Sequence, residues 1–173
     1  LLTPTSVFTA ILLPEKQDSN AVSMRFILDL CVQNEPSRAF ACVQRELVDM
    51  GNRIENMLRD AMQLFENYDE VFAERLRDEQ RGIAQNSFDL RVYLSGIRSD
   101  DPSEDTGTRA FDYAGITTNL ESGADAIGRK IVSQAKRMNH EKTNFSEDGW
   151  HELADYYDKV LRNLQLGITA LMT

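Results

Sequence analysis

Apolar residues recur at alternating steps of three and four over one long stretch of the chain. The series is Phe40, Val43, Leu47, Met50, Ile54, Met57, Ala61, Leu64 and Tyr68. Because an α-helix repeats every 3.6 residues, this series predicts one apolar stripe on a helix of about 32 residues beginning at Pro36. We expect the stripe to face the core, and dimerisation through it is the alternative.

Three more helices follow, each separated from the next by a short loop. The second, about residues 70–98, has an apolar stripe interrupted by Glu79, Asn86 and Ser87. The third runs from Ser103, as its N-cap, to Met138, and the last begins with Ser146 as its N-cap. No segment alternates as a strand would. The pattern predicts an all-α, antiparallel up-and-down helical bundle of four long helices.

The third helix is polar where a core-facing stripe is expected. With regular helical spacing, one face carries Phe111, Ala114, Thr118, Glu121, Asp125, Val132 and Ala135. Gly123 and Gly128 lie nearby, and each mid-helix glycine costs about 1 kcal/mol relative to alanine. Such glycines are tolerated where another backbone must come close. We therefore expect this helix to be central and tightly packed.

Glu121 and Asp125 form the candidate site. Two carboxylates cannot both stay ionised in a core without compensating positive charge, and oxygen ligands suit Mg²⁺, Ca²⁺, Mn²⁺ or iron. The pair is therefore a candidate divalent metal or iron site. In the alternative, both side chains reach solvent at a groove or contact an arginine such as Arg53. A second Glu-x-x-x-Asp pair, Glu74 and Asp78, points away from its helix's apolar stripe and is expected to be solvated.

The amino-acid composition and the motifs of the chain argue against several classes of function. The 173 residues include 28 acidic and 19 basic ones, for a net charge of −9. This balance argues against binding nucleic acid or anionic lipid headgroups directly. Neither a nucleophile constellation nor a phosphate-binding glycine loop occurs, so we expect no catalytic residues and a protein that is not an enzyme. Cys31 and Cys42 are expected to be free thiols.

The pattern divides the chain into three parts. Residues 1–14 are an apolar arm, residues 15–35 are a linker, and residues 36–173 form the helical bundle. The arm lacks the charged start and the cleavage site of a signal peptide. Because the chain begins with Leu1 rather than methionine, we expect it to be a piece of something longer.

Two segments carry a resemblance to a known family. Residues 113–127, Tyr-Ala-Gly-Ile-Thr-Thr-Asn-Leu-Glu-Ser-Gly-Ala-Asp-Ala-Ile, resemble the Asn-Leu-Glu-x-Ile-Gly-Asp-x-Ile signature of PhoU-like domains. Residues 145–153, Phe-Ser-Glu-Asp-Gly-Trp-His-Glu-Leu, are similar to the opening of the last helix in the PhoU-like C-terminal domain of bacterial sodium/phosphate cotransporters. Residues 45–51 are similar to that family's first helix. The chain departs from the signature at Gly123 and Ala124, where the family has Ile-Gly.

The resemblance implies a cytoplasmic regulatory or interaction domain of a sodium-dependent inorganic phosphate symporter in the bacterial inner membrane, with a role in phosphate homeostasis. Its implied partner is the membrane domain of its own full-length chain, and the apolar arm would then be juxtamembrane. The metal role of the family's Glu-x-x-x-Asp positions would fall on Glu121 and Asp125. A free-standing PhoU-like phosphate-signalling regulator, or a carboxylate metal-binding protein, is the alternative.

Overall fold

The computed structural model describes residues 33–98 and 105–172, and these form helices only. The helices are α1 Pro36–Glu66, α2 Glu70–Gly96, α3 Thr106–Asp125, α4 Val132–Glu141 and α5 Glu147–Leu171. A π-helical turn, Ala126–Ile131, joins α3 to α4, so that residues 106–141 form one continuous helix, here called the third rod. The prediction of an all-α bundle of four long helices is confirmed.

Contacts between helices show that α2 and the third rod run antiparallel. Along the third rod, Glu121 contacts Ser87, Asp125 contacts Gln80 and Lys136 contacts Glu70 of α2. The residue numbers of the contacting residues on α2 therefore decrease as those on the third rod increase, as expected for antiparallel helices.

Side chains cap three helices at their N-termini. Asp69 accepts a hydrogen bond from the backbone N–H of Phe72 at 2.7 Å, and Ser146 accepts one from Gly149 at 3.1 Å. The Phe145 ring packs 5.9 Å from that of Trp150, as expected of a hydrophobic staple. The third rod is capped by Asp105, which accepts from Thr108 at 3.3 Å, rather than by Ser103, which lies outside the described residues.

Helix α1 is the central element of the bundle and contacts every other rod. Its predicted stripe from Phe40 to Leu64 is buried throughout, and Tyr68, just beyond the helix, is half-buried. The expectation that the third helix is central is therefore wrong. A rod with few large apolar residues cannot supply the surface that a central helix must bury on several sides.

The predicted face of the third rod is also displaced in its first half. Phe111 is 78% exposed and Thr118 is exposed, whereas Thr117 and Ala124 are buried. Apolar residues are spread almost evenly around α3, so their spacing does not select one face. Glu121 consequently lies at the edge of the buried stripe and is half-buried.

The third rod packs tightly against α2 at Gly128. A Cβ at this position would lie 2.6 Å from Cβ of Gln80 and 3.3 Å from the backbone oxygen of Leu76. The expectation of close backbone packing is thus confirmed at Gly128. It is wrong at Gly123, where a Cβ would meet only a methyl group of Ile54 at 4.0 Å.

Helix α5 packs mainly against α1 and buries little. Its buried residues are Leu161 and Ile168, and Cγ1 of Ile168 would lie 2.7 Å from a Cβ at Gly51. Gln165 donates to Glu55, and Gln44 donates to the backbone oxygen of Leu171. This helix therefore covers one side of α1 and adds Leu161 to the hydrophobic core.

The remaining predictions concern the cysteines and the N-terminal segments. Cys42 is disulfide-bonded, so the expectation of a free thiol is wrong at that residue, and Cys31 lies outside the described residues. The apolar arm 1–14 and most of the linker 15–35 also lie outside them. Within the described ranges, no helix combines the length and the apolar character that a membrane span requires.

Candidate functional site

Glu121 is held by two side chains of α2. Its Oε2 accepts hydrogen bonds from Oγ of Ser87 and from Nη1 of Arg91, both at 2.6 Å. Ser87 is fully buried, and Arg91 also donates to the Ser87 hydroxyl. The guanidinium of Arg91 therefore contacts both Ser87 and Glu121, which are also bonded to each other.

Burial by itself would raise the pKa of the Glu121 carboxyl. The hydrogen bonds from Arg91 and Ser87, together with the positive charge of Arg91, outweigh that effect, so that the pKa is lowered from its ordinary value. The carboxylate is accordingly kept ionised by its own protein partners.

Asp125 lies one helical turn further on, at the junction with the π-helical turn. Its Oδ1 forms an ion pair with Nε of Arg129, four residues further along the same rod, at 2.7 Å. The same oxygen accepts a hydrogen bond from Nε2 of the buried Gln80 at 3.4 Å. Gln80 and Ser87 are seven residues apart on α2, about two helical turns. Both carboxylates of the pair are thus turned toward α2.

Each carboxylate therefore has an arginine partner, but neither partner is Arg53. The side chain of Arg53 instead contacts Glu79 and Asn86 between α1 and α2. The pair also differs from Glu74 and Asp78, which are exposed and contact Arg77 and Arg81 on the surface of α2. The prediction of a solvated face for that second pair is confirmed.

Sequence reasoning missed Gln80, Arg91 and Arg129 as partners. Ser87 carried a signal, since a small polar residue occupied a core position of the second helix. Arg129 also carried one, since it follows Asp125 by four residues on the same helix. Arg91 carried none, because its contact with Glu121 depends on how α2 and the third rod are rotated against each other.

A metal at this site would be bound by Glu121 and Asp125. The sequence-based assignment of these two residues as ligands stays a prediction. Among residues 33–98 and 105–172, no group of three or more His, Cys, Asp or Glu side chains is placed to share an ion. The arginines paired with the two carboxylates are positively charged and carry donors only, which does not fit a bound cation.

Comparison with known proteins gives one family and one group of relatives. Residues 47–147 match the family model described as PhoU domain. The protein named "Putative inorganic phosphate export protein YjbB" from Salmonella typhimurium strain LT2 is 26% identical over 148 residues, which are 84% of this chain and 27% of that protein. The proteins of the same name from Escherichia coli O157:H7 and K12 are 24% identical over the same shares.

The chain thus spans about a quarter of the length of the curated relatives that it matches. No solved structure matches it significantly. The matched region extends from α1 to the first residue of α5 and includes Glu121, Asp125 and all their partners.

Proposed function

This chain belongs to the PhoU domain family, and on that premise we propose that it is a non-enzymatic regulatory or interaction domain of a phosphate transport system. The observation that carries the proposal is the family match over residues 47–147, joined to relatives whose name is inorganic phosphate export protein. Those relatives align with 84% of the chain, so the likeness extends over most of the helical bundle.

The finer part of the proposal follows from the resemblance at residues 145–153. In this version the bundle lies on the cytoplasmic face of the bacterial inner membrane and belongs to a sodium-dependent phosphate cotransporter. Its partner is the membrane part of the same polypeptide, and homodimerisation through exposed surface is compatible with it. The acidic charge of −9 supports a protein partner over nucleic acid.

The test uses the complete gene in its own host. A strain without the gene is complemented with the full-length gene or with the same gene lacking the codons for residues 36–173. Uptake and efflux of radiolabelled phosphate are measured in sodium and in potassium media, and immunoblots report the amount of transporter. We expect sodium-dependent phosphate flux from the full gene, and a changed response to external phosphate in the deletion at equal transporter level. Unchanged flux on loss of the whole gene would overturn the proposal.

A free-standing phosphate-signalling regulator is the second candidate, and the shared PhoU domain supports it equally well. The open reading frame upstream of Leu1 distinguishes the two. Encoded membrane spans in the same frame would support the transporter domain. A gene that encodes only the bundle would instead support a protein that docks on a separate transporter or sensor kinase, which affinity purification of the tagged protein from its host would then identify.

A further inference from the structure

The carboxylate pair of the third rod is neutralised by guanidinium groups from this chain. We propose that Glu121 and Asp125 form a metal-independent latch between α2 and the third rod. Glu121 pairs with Arg91 of α2, and Asp125 accepts a hydrogen bond from Gln80 of α2. Arg91, and Arg129 on the same rod as Asp125, provide the positive charge that a cation would otherwise supply. The sequence resemblance assigns a metal to the same two residues, so the two views make opposite predictions.

One oxygen of each carboxylate is already engaged. Oε2 of Glu121 accepts hydrogen bonds from both Ser87 and Arg91 at 2.6 Å, and Oδ1 of Asp125 forms an ion pair with Nε of Arg129 at 2.7 Å. A cation bound by these oxygens would lie beside a guanidinium at contact distance, where like charges repel strongly. It would therefore have to displace Arg91 before binding.

The surroundings also lack further ligands. Hard cations take six or more oxygen ligands, and zinc takes four ligands from nitrogen, sulfur or oxygen. The described residues offer two carboxylates here, while Gln80 presents its amide N–H to Asp125 rather than its oxygen. The two guanidinium groups that converge on the pair carry donors and no acceptor, which suits carboxylates and not metal ions.

The latch joins two helices beside a point of tight packing. Gly128 lies one turn beyond Asp125 and packs directly against Gln80. The Arg91–Glu121 bond lies about one turn before Asp125 along the third rod, and Ala124, between the two carboxylates, is fully buried. These polar contacts therefore fix the register of the interface between α2 and the third rod. The small residues Ala124 and Gly128 allow the two helices to pack tightly there.

Metal analysis and thermal unfolding test the proposal on the full 173-residue chain. The protein is purified without chelator, incubated in turn with iron(II), manganese and zinc, desalted, and analysed for bound metal. Melting temperatures are then measured with and without EDTA. We expect no stoichiometric metal and the same melting temperature in both conditions. Stoichiometric metal in the wild-type protein that is lost in Glu121→Gln would overturn the latch.

Variants separate the latch from general damage. Glu121→Gln and Arg91→Met are each expected to lower the melting temperature by several degrees, equally with and without EDTA. The double variant should lose little more than the larger single loss, because both substitutions remove the same bond. Additive losses in this cycle would contradict the pairing.

The matched control is Glu74→Gln, which alters the other Glu-x-x-x-Asp pair on an exposed face and should leave the melting temperature unchanged. If a variant fails to fold, the metal content of the wild-type protein still decides.

Discussion

The guanidinium of Arg53 on α1 donates from Nε to the carboxylate of Glu79 on α2 at a distance of 2.5 Å. Nη1 of the same arginine lies 2.6 Å from the amide oxygen of Asn86, whose side chain is buried. These bonds explain why Glu79 and Asn86 interrupt the apolar stripe of the second helix. Both residues contact Arg53 of the neighbouring rod, whose side chain is 13% exposed. The α1–α2 interface therefore contains a line of polar contacts among its apolar ones.

Removing Arg53 should destabilise the bundle. Arg53→Met leaves Glu79 without its ion partner and Asn86 without its donor. We expect a loss of about 2–3 kcal/mol in the free energy of unfolding, below the cost of breaking a fully buried ion pair because Glu79 is 35% exposed. Urea denaturation followed by circular dichroism measures the loss.

Arg75→Met is the control for this prediction. Arg75 is exposed on α2 and lies over the ring of Phe72, 4.8 Å from its centroid. A change of about 0.5 kcal/mol or less is expected. Equal losses at Arg53 and Arg75 would contradict a stabilising role for the polar contacts of Arg53.

Glu46 should make stability depend on pH. It is 5% exposed on α1, and burial, reinforced by the charge of Asp49, raises its pKa from 4.5 to about 7 against the opposing charges of Arg45 and Arg53. At a pH between 4.5 and about 7, Glu46 is more often protonated in the folded state than in the unfolded state. The contribution of Glu46 to the free energy of unfolding is therefore constant below pH 4.5, falls as pH rises to about 7, and is constant above it.

Glu46→Gln should remove this fall, because the amide resembles the protonated acid. We expect the variant to match the wild type near pH 4.5 and to be more stable above pH 7, by on the order of 2 kcal/mol. Urea titrations over this pH range measure the difference. Glu152→Gln on the exposed face of α5 should show no such dependence. A gain of equal size at every pH would point to a cause other than ionisation.

Substitution by alanine should destabilise the protein at Gly128 and stabilise it at Gly115. In Gly128→Ala the new Cβ would overlap Gln80 and press on the α2 backbone at Leu76. We expect a loss of about 1–3 kcal/mol, since relief requires the two rods to separate. Gly115 lies on the same rod, and a Cβ added there would meet nothing within 4 Å. Gly115→Ala should stabilise the protein by about 0.5–1 kcal/mol, and thermal unfolding of both variants checks the sign.

Helix α5 should open before the rest of the bundle. It buries Leu161 and Ile168, whereas α1 is buried along its whole inner stripe. Native-state hydrogen exchange should therefore show faster exchange of the central amides of α5 than of those of α1. Equal protection of both helices would mean that α5 unfolds only with the whole bundle.

The sequence by itself determined the class of fold and most helix boundaries. An unbroken three-and-four spacing from Phe40 to Leu64 fixes a long helix and its buried face, because only one face of such a helix is apolar. Local chemistry likewise determined the Ser146 cap and the Phe145 staple, since both depend on residues within one helical turn or so of each other.

Only the tertiary structure decided which helix is central and what Glu121 contacts. In α3 small and polar residues surround the axis almost evenly, so the buried face was set by contact with α1 and α2 rather than by its own pattern. The partners of Glu121, Ser87 and Arg91, are 34 and 30 residues away along the chain. Such contacts follow from the rotation and register of two packed rods, which no spacing within either rod specifies.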